Sequence, residues 1–505
     1  MTTPLSSGDI ERPEPARLES VSDIIRDPMT TERDERLKHV DGIRALGADP
    51  FGARFDGAAP IKSLLDGFAA LENKPVTTAG RVVRHNNFGK ATFVHLQDAT
   101  GRLQAYVKKG AVDDKAFEVW NHVGLGDFIG VTGTLSKSKT GEVTIFATAV
   151  TLLSKALLPL PEKFHGLTDA ETRYRQRYLD MIANREVLET FIKRSKLISS
   201  LRRRLDERGY LEVETPTMHA IAGGAHARPF VTHHNTLNQK LFMRIALEIP
   251  LKKCMIGGIE KVYEIGRVYR NEGVDTQHNP EFTLLELYHA YGDLRTMMEL
   301  VESTVSELAK EACGSTKITY GERTLDLTPP WPRADYGELL KQHAGTGFDD
   351  LDALRAKCRE KHIDPSGLSR IDLIDKVFSE FCEPHLYERA TFVCNQPIEM
   401  TPLCRELPGR PGIADRFEAF VAGMELANAY TELNDPVVQR RRLLDQAGGD
   451  AMAQTGKLDE DFLAAMEHGM QPAGGMGMGI DRLVMLLTNR PNIREVILFP
   501  LLREV

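Results

Sequence analysis

The chain has 505 residues, 42% of them hydrophobic and 27% charged, a composition typical of a globular protein with about two to four domains. Its net charge of -8 argues against a protein that coats nucleic acid non-specifically, but leaves room for a local basic face. Six widely spaced cysteines without a CxxC or His/Cys cluster predict free thiols and argue against a zinc, iron–sulfur or disulfide framework. With neither a membrane-length apolar segment nor a presequence pattern, the protein is expected in the cytoplasm.

The N-terminal part divides into a tail and a helical segment. Residues 1–28 are rich in Ser, Pro, Glu and Asp, which predicts a disordered tail. Residues 29–66 follow as a helical segment, because apolar residues recur at helical spacing between Thr31 and Leu46 and Gly47 then ends the pattern. Two interpretations of this helix stay open: it touches RNA, or it packs on its own domain.

Residues 67–155 have the plan of an OB-fold, a small five-stranded barrel that often binds single-stranded nucleic acid. A helix over Asp114–Trp120 separates the third and fourth of five β-rich runs: Val76–Val83, Ala91–Asp98, Leu103–Val107, Phe128–Leu135 and Val143–Leu153. Phe93 and Gln104 on strands two and three, with Arg81 on strand one, are candidate nucleic-acid contacts, although each alone fits a packing or solvated role better. The lysine-rich stretch Leu135–Gly141 looks like a phosphate loop, but its place between two strands predicts a hairpin turn.

A proline-stiffened linker over residues 156–180 precedes a second domain over residues 181–505. This domain begins with a helix over Phe191–Arg208, followed by a short strand and a proline, which together make a plausible dimer edge. A further helix that opens with Arg244–Glu248 lets its glutamate face a ligand amine. Residues 334–405 are helical in pattern and poor in strand signals, so they are interpreted as an insertion.

The densest pattern of polar residues lies in two neighbouring strands joined by a loop over residues 273–280. Strand periodicity puts four side chains on one surface of an antiparallel pair: Arg270, Glu272, Phe282 and Glu286. Such a surface offers a cation for an anion, an aromatic plate for a flat ring and a carboxylate for a cationic group. An ordinary hairpin with a structural ion pair is the alternative, but the nearby His278 and Tyr288 favour a site.

A second group of acids follows near the C-terminus. A tight turn at Ala422–Gly423 would place Glu418 and Glu425 on the same side, and two carboxylates aimed at one spot suit Mg²⁺. Alone, such a pair is more often solvated surface charge. The next alternating residues line the same pocket only if a β-bulge follows Glu425: Asn428, Tyr430 and Glu432.

The stretch Gly475–Gly479 alternates glycine with methionine, which leaves one strand face bare for the close approach of a flat ring. Arg482 then falls in the first turn of an apolar helix, a position that suits a phosphate. The stretch does not match the dinucleotide-binding fingerprint, and the chain contains no Walker A sequence.

Three motifs together resemble those of the class II aminoacyl-tRNA synthetases: an arginine with a glutamate after a strand, a helix–strand–proline segment upstream, and Gly-x-Gly-x-Gly-Ile-Asp-Arg near the C-terminus. Four more stretches look like bacterial lysyl-tRNA synthetases: Arg173–Asp180, Gly223–Phe230, His278–Phe282 and Glu432–Asp435. The resemblance covers nearly everything from about residue 30 onward. It implies an α+β fold class, with an N-terminal OB-fold anticodon domain, a catalytic domain in which helices flank an antiparallel sheet, and a homodimer.

The resemblance also implies a role for each candidate residue. Arg270 and Arg482 would be catalytic, within an ATP-binding set of Arg270, Glu272, His278, Phe282, Glu425, Gly479 and Arg482. Glu418 and Glu425 would bind Mg²⁺, of which the family implies about three ions per subunit. The lysine pocket would be formed by Gly224, Glu248, Glu286, Tyr288, Asn428, Tyr430 and Glu432. The uridine-rich anticodon would be contacted by Arg81, Phe93 and Gln104.

The chain departs from the family pattern at a few positions. Some relatives have Phe at the position of Tyr430, and Leu247 stands where a proline is usual; neither change removes a functional group. The barrel segment His85–Phe88 has asparagine where the family pattern has arginine, which bears on the anticodon contacts.

The implied reaction joins lysine and ATP into lysyl-adenylate and pyrophosphate, then transfers lysine to the terminal adenosine of tRNA(Lys); neither DNA nor a membrane is an expected partner. An aspartate or asparagine enzyme would need cations in the pocket, whereas the candidates here are acids, an amide and tyrosines. A relative that attaches lysine to a protein would lack the OB domain. A silent paralogue would have lost residues of the set Arg270, Glu418, Glu425 and Arg482, all of which are present.

Overall fold

The computed structural model describes residues 29–160, 167–225, 227–447 and 458–503. The predicted tail over residues 1–28 lies outside these ranges, and within them no helix is long and apolar enough to cross a membrane. Contacts within the chain divide it into two units, Met1–Gly166 and Leu167–Val505, which are described separately.

The first unit is built on a closed barrel. Its helices are α1 (Met29–Ala45), α2 (Ile61–Asp66), α3 (Phe68–Leu71) and α4 (Asp114–Trp120). Its strands are β1 (Pro75–Asn87), β2 (Ala91–Gln97), β3 (Arg102–Lys108), β4 (Phe128–Lys137) and β5 (Val143–Ser154). The strands close in the order β1-β2-β3-β5-β4, which confirms the predicted OB-fold.

Packing in this unit follows from strand alternation. Every second residue of β2 is buried in the barrel, including Val94 and Leu96. Ile43 of α1 lies in the same core, so this helix packs on its own unit, one of the two interpretations left open by the sequence. The lysine-rich stretch is a hairpin turn between β4 and β5, as predicted, with Gly141 at a positive φ of 85°.

The second unit surrounds one large sheet. Its helices are α5 (Ala170–Arg175), α6 (Arg177–Ala183), α7 (Arg185–Glu207), α8 (Glu248–Ile256), α9 (Leu294–Cys313), α10 (Tyr336–Ala344), α11 (Leu351–Glu360), α12 (Arg370–Phe381), α13 (Pro436–Ala447), α14 (Glu460–Glu467) and α15 (Ile480–Thr488). Single 3₁₀ turns cover Glu383–His385, Ile398–Met400 and Ile493–Glu495.

The strands of the second unit form one eight-stranded sheet and two small ones. They are β6 (Leu211–Glu212), β7 (Met218–His219), β8 (Val231–His234), β9 (Gln239–Met243), β10 (Lys261–Tyr269), β11 (Glu281–Ala290), β12 (Lys317–Tyr320), β13 (Arg323–Asp326), β14 (Arg333–Asp335), β15 (Thr391–Cys394), β16 (Arg416–Val421), β17 (Met424–Thr431) and β18 (Ala473–Gly479). The large sheet has the order β14-β15-β16-β17-β18-β11-β10-β6. Its interior pairs are antiparallel, as expected, but β14 with β15 and β6 with β10 are parallel, so the sheet is mixed at both edges.

The two faces of this sheet have different coverings. Leu285 and Leu287 of β11 face the core that includes α7, α9 and α15. The alternate residues Phe282, Leu284 and Tyr288 lie on the other face, with α8 and α14. The predicted face of β11 is therefore confirmed, and it is the face that carries the candidate site.

Three predicted boundaries of the second unit are wrong. The linker over residues 156–180 contains α5 and starts α6, both of which belong to the second unit. The insertion over residues 334–405 contains helices α10 to α12, but β14 and β15 near its ends pair within the large sheet. Both strands are too short for a clear period of two. The helix predicted from Arg244 begins at Glu248, because Arg244 is buried in an ion pair with Glu264 at 2.6 Å.

Candidate functional site

Three neighbouring strands align the predicted residues on one face of the large sheet. Strand β18 lies between β11 and β17, so its glycines separate two rows of side chains. Gly477 is paired with Glu286 on one side and Asn428 on the other, and Gly475 likewise separates Tyr288 from Tyr430. The bare glycine strand is therefore the floor of a groove between two polar rows.

The β-bulge required by the sequence is present in β17. Ala419 pairs with Ala427 and Phe420 pairs with Glu425, so Leu426 is the extra residue between them. The turn before it has positive φ at both Ala422 and Gly423, as a tight hairpin turn requires. This bulge confirms the prediction and brings the acids before it and the polar residues after it to the same face.

The predicted ATP-binding residues come together in one cleft, called here the arginine cleft. It is lined by Arg270, Glu272, His278, Phe282, Glu425, Gly479 and Arg482, together with Asn428, Gly477 and Asp481. Arg270 follows the end of β10, where its Nε donates to the Ile245 carbonyl at 3.3 Å and its guanidinium lies 5.2 Å from the centre of the Phe282 ring. A guanidinium stacked on an aromatic ring is held in place without using all of its donors.

A chain of hydrogen bonds orients the second arginine of the cleft. Arg482 donates from Nη1 to the Glu425 carbonyl at 2.6 Å and from Nη2 to Nε2 of His278 at 3.0 Å. Because arginine can only donate, Nε2 of His278 accepts, and the proton on Nδ1 is shared with Asp275 at 2.8 Å. The Asp275 carboxylate and the His278 imidazole thus orient the Arg482 guanidinium, the one cation of the three, at the cleft, where it can bind an anionic ligand.

A second set of residues forms the acid pocket, defined as Glu248, Lys252, Glu286, Tyr288, Tyr430 and Glu432. All six side chains are buried. The Tyr430 hydroxyl donates to Oε1 of Glu248 at 2.7 Å, and the Leu247 backbone NH donates to Oε1 of Glu286 at 3.1 Å. Among the described residues, Oε2 of Glu286 and Oε1 of Glu432 have no hydrogen-bond partner. Buried carboxylate oxygens without partners are costly, so the pocket is suited to a cationic ligand.

The pKa shifts of the buried acids in this pocket also favour a cationic ligand. Burial, reinforced by Glu248, raises the pKa of Glu286 to about 8. Burial also raises the pKa of Glu432, against the opposing effect of Lys252. Each acid is therefore poised to lose a proton when a cation arrives.

Glu418 and Glu425 lie on the adjacent strands β16 and β17. Burial raises the pKa of Glu418, with Arg416 opposing it and Glu425 adding to it. Burial opposes the ionisation of Glu425 too, yet Arg482 and a hydrogen bond from Asn428 hold its pKa below the ordinary value. In the part of the chain that the structure describes, no three His, Cys, Asp or Glu side chains could hold a metal by themselves. Mg²⁺ is often held by one or two carboxylates with its other ligands from phosphate and water, so Glu418 and Glu425 are the candidate protein ligands for it.

Sequence reasoning did not identify Lys252, and it assigned Gly475 a different role. Lys252 lies one helical turn after Glu248, and this i, i+4 spacing was the signal that could have found it. A methyl group on Gly475 would lie 1.9 Å from Oε1 of Glu432, so this glycine makes room for an acid and not for a flat ring. Gly224 has a similar part, since its φ is 87° and a methyl group there would lie 3.2 Å from Cβ of Glu248.

In the barrel, the structure brings together two of the three predicted nucleic-acid contacts. Phe93 pairs with Tyr106 and Gln104 pairs with His95 in β2 and β3, so all four share one face. Glu142, which sequence reasoning missed, accepts from Gln104 at 2.7 Å and lies 2.8 Å from His95.

Arg81 does not join this group. Its guanidinium lies 4.2 Å from the ring centre of Phe128 and donates to the Gly126 carbonyl. The barrel face that remains carries the aromatic rings Phe88, Phe93, Tyr106 and Phe146, with successive ring centres 4.6 to 6.3 Å apart. Phe88 is exposed and the other three rings are half-buried, so each keeps some surface that could stack on bases.

Comparison with known proteins agrees with this geometry. Residues 169–503 match the family model of tRNA synthetases class II (D, K and N), and residues 76–153 match that of the OB-fold nucleic acid binding domain. A lysine–tRNA ligase of Moorella thermoacetica is 49% identical over 93% of this chain and 97% of its own length. A lysine–tRNA ligase of Bacillus subtilis is 47% identical over 95% of this chain and 98% of its own length.

Proposed function

The chain belongs to the class II tRNA synthetases, and within them to the bacterial lysine–tRNA ligases; we propose that it activates lysine with ATP and transfers it to the 3′ end of tRNA(Lys). The observation that supports lysine as the substrate is the acid pocket, where buried carboxylate oxygens of Glu286 and Glu432 have no hydrogen-bond partner in the described part of the chain. An ammonium group would pair them, whereas the carboxylate of aspartate would be repelled.

In the first step, a carboxylate oxygen of lysine attacks the α-phosphorus of ATP in line. A new carboxyl–phosphorus bond forms while the bond to the bridging oxygen breaks, and pyrophosphate leaves with the electron pair. Arg270 offsets the charge that develops on the α-phosphate, and His278 and Arg482 hold the rest of the nucleotide. No side chain has to become a covalent carrier. In the second step a ribose hydroxyl of the terminal adenosine of tRNA displaces AMP.

ATP with Mg²⁺ is the nucleotide form that this family uses, and we assign Glu418 and Glu425 as the protein ligands of that metal. When bound, Mg²⁺ supplies further neutralisation of phosphate charge. The family's number, about three ions per subunit, is part of the proposal, since two carboxylates leave room for further ions held mainly by phosphate oxygens and water.

We assign anticodon recognition to the barrel face with Phe93 and Gln104, and add Glu142 to it because it bonds both Gln104 and His95. We also propose a homodimer: β6 is the edge strand of the large sheet, and its Leu211 is 53% exposed. The translation substrates and the six free cysteines favour the cytoplasm.

The proposed function is tested by lysine-dependent ATP–pyrophosphate exchange without tRNA, with ornithine, aspartate and asparagine alongside. We expect exchange with lysine and none with aspartate or asparagine, because neither the carboxylate of aspartate nor the uncharged amide of asparagine can neutralise Glu286 and Glu432. Exchange with no amino acid, from folded protein, would identify a silent paralogue. Exchange with aspartate would contradict the pocket assignment.

Lysine binding is expected to depend on pH because the acids of the pocket must ionise. With the pKa of Glu286 at about 8 in the empty pocket, the carboxylate is largely protonated at pH 6.5. The KM for lysine should therefore fall as the pH rises from 6.5 to 8.5, by up to about tenfold per pH unit for each acid that must lose a proton. Exchange measured at subsaturating and saturating lysine across this range checks it; a constant KM would contradict it.

A further inference from the structure

The acid pocket already contains an ammonium group of its own. Lys252 is fully buried on α8, and its Nζ lies 2.5 Å from Oε1 of Glu248 and 2.5 Å from Oε2 of Glu432. The same Nζ lies 5.7 Å and 5.6 Å from the ring centres of Tyr288 and Tyr430. Although burial opposes its charge, Glu248 and Glu432 raise the pKa of Lys252, so it is a permanent cation.

Lys252 engages one oxygen of each acid and leaves the other for a ligand. The second oxygen of Glu248, Oε2, lies 3.9 Å from where a side chain on Gly224 would begin. The second oxygen of Glu432, Oε1, is beside Gly475 and has no partner among the described residues. Each of these oxygens thus lies near a glycine and on the far side of its carboxylate from the oxygen that Lys252 contacts.

The charges of the pocket and of its neighbour Arg270 match the proposed substrate. Once Glu286 and Glu432 have lost their protons to an arriving cation, the three carboxylates Glu248, Glu286 and Glu432 and the two cations Lys252 and Arg270 leave one net negative charge. Lysine at neutral pH carries two ammonium groups and one carboxylate, hence one net positive charge. Without Lys252, one substrate molecule could not neutralise the three acids.

We propose that Lys252 is a positioning residue for lysine selection: it holds Glu248 and Glu432 so that one oxygen of each faces the substrate, and it sets the pocket charge that a monocationic amino acid neutralises. This role rests on the proposed lysine activation and deepens it. Lys252 does not touch the reacting atoms, and its effect passes through the two acids.

The direction of the effect follows from two opposing interactions of Lys252. Its ammonium group contacts the acids directly and stabilises their ionised forms, whereas it repels the substrate ammonium groups from farther away, on the other side of the acids. The attraction outweighs the repulsion, since Coulomb energy falls with distance. Removing Lys252 should therefore raise the pKa of Glu286 and Glu432 further, so that lysine must displace their protons at a greater free-energy cost and binds more weakly at neutral pH. At a pH above the pKa of the acids, they are ionised with or without Lys252. The lysine affinity of a variant without Lys252 should therefore approach that of wild type as the pH rises.

The groups that titrate around Lys252 come from every element packed on it. They are Glu248 on α8, Glu286 and Tyr288 on β11, Tyr430 on β17, Glu432 directly after it, and Cys404, whose backbone bridges to Glu432. Burial raises the pKa of both tyrosines and of the cysteine thiol. Glu286 and Glu432, whose pKa values burial raises to about 8, are therefore the groups of this set that change charge between pH 6.5 and 9.

The test is Lys252→Met, which keeps the length of the side chain and removes its charge, in lysine-dependent pyrophosphate exchange. At pH 7 the KM for lysine should rise about 10- to 100-fold, corresponding to acids shifted by one to two pKa units. The kcat and the KM for ATP should stay within about threefold of wild type. The ratio of the lysine KM of the variant to that of wild type should shrink as the pH rises to 9, and titration of lysine itself cancels in this ratio.

Lys253→Met is the matched control. It makes the same change one residue further along α8, where Lys253 is on the surface beside Asp461 at 2.7 Å. Its lysine KM should equal that of wild type at every pH. Lys252→Arg, which keeps the charge, should recover most of the affinity for lysine at pH 7.

Two results would overturn the positioning role, because a merely distorted pocket would give them. One is a ratio of variant to wild-type lysine KM that stays constant with pH, and the other is an equal rise in the KM for ATP. If neither Lys252→Met nor Lys252→Arg folds, judged by thermal unfolding, Lys252 serves the fold and the proposal is wrong. Failure of the wild type to exchange with lysine would instead overturn the proposed function, so the two failures are distinguishable.

Discussion

Replacing Arg270 with alanine is expected to abolish lysine-dependent pyrophosphate exchange while the protein stays folded. The guanidinium lies in the arginine cleft over the Phe282 ring and is anchored to the Ile245 carbonyl through Nε. Its Nη groups have no hydrogen bond to another described residue and can therefore bind a phosphate. In phosphoryl transfer most of the catalysis comes from positioning and from neutralising developing charge. Loss of an arginine with this role lowers kcat about 10³- to 10⁵-fold.

Arg267→Ala is the matched control for this prediction. Arg267 lies in β10, three residues before Arg270, and pairs with Glu281 at 3.7 Å near the surface. Its removal should leave kcat within about twofold of wild type, since exposed ion pairs contribute little. Thermal unfolding of both variants separates a catalytic defect from a folding one. Exchange by Arg270→Ala within tenfold of wild type would show that another group neutralises the α-phosphate.

Replacing Glu286 with glutamine is expected to weaken lysine binding and leave ATP binding unchanged. The amide oxygen of glutamine can still accept from the Leu247 backbone NH, as Oε1 of Glu286 does at 3.1 Å. Its NH₂ group would then take the place of Oε2, the unpartnered oxygen, and would face the substrate ammonium with a donor. Breaking a buried charge pair in this way costs about 3–5 kcal/mol, which is roughly 150- to 5,000-fold in kcat/KM for lysine.

Glu281→Gln provides the control, because it makes the same change at the exposed start of the same strand. The kinetic constants of that variant should match wild type within about twofold. Titrating lysine at saturating ATP, then ATP at saturating lysine, separates the two sites. An unchanged lysine KM in Glu286→Gln would remove Glu286 from the pocket, whereas an equal loss in both titrations would indicate general damage to the sheet.

Local patterns in the sequence were sufficient for much of the fold. The alternation of buried residues in the barrel strands and in β11 reports which side chains share a face, because strand geometry alone sets that period. The bulge after Glu425 was predictable for the same reason: polar residues changed parity within one short strand. The arginine, glutamate and glycine motifs resembled a known family strongly enough to indicate both domains.

The weaker predictions concern short elements and boundaries. Strands β14 and β15 have three and four residues, too few to show a period, and became part of the sheet only through pairing with distant strands. The local pattern predicts a helix that starts at Arg244. That pattern does not show the pairing of Arg244 with Glu264, 20 residues away.

The sequence alone indicates which residues share a face of a strand or helix, because backbone geometry fixes those periods over a few residues. Tertiary packing sets which of these distant faces meet. The pairing of β18 between β11 and β17 sets Gly475 under Glu432, and the packing of α8 on that face brings Lys252 to Glu432. These contacts join residues about 40 to 180 positions apart, and no local period encodes them, because they depend on how strands and helices far apart in the chain pack to bury their apolar faces.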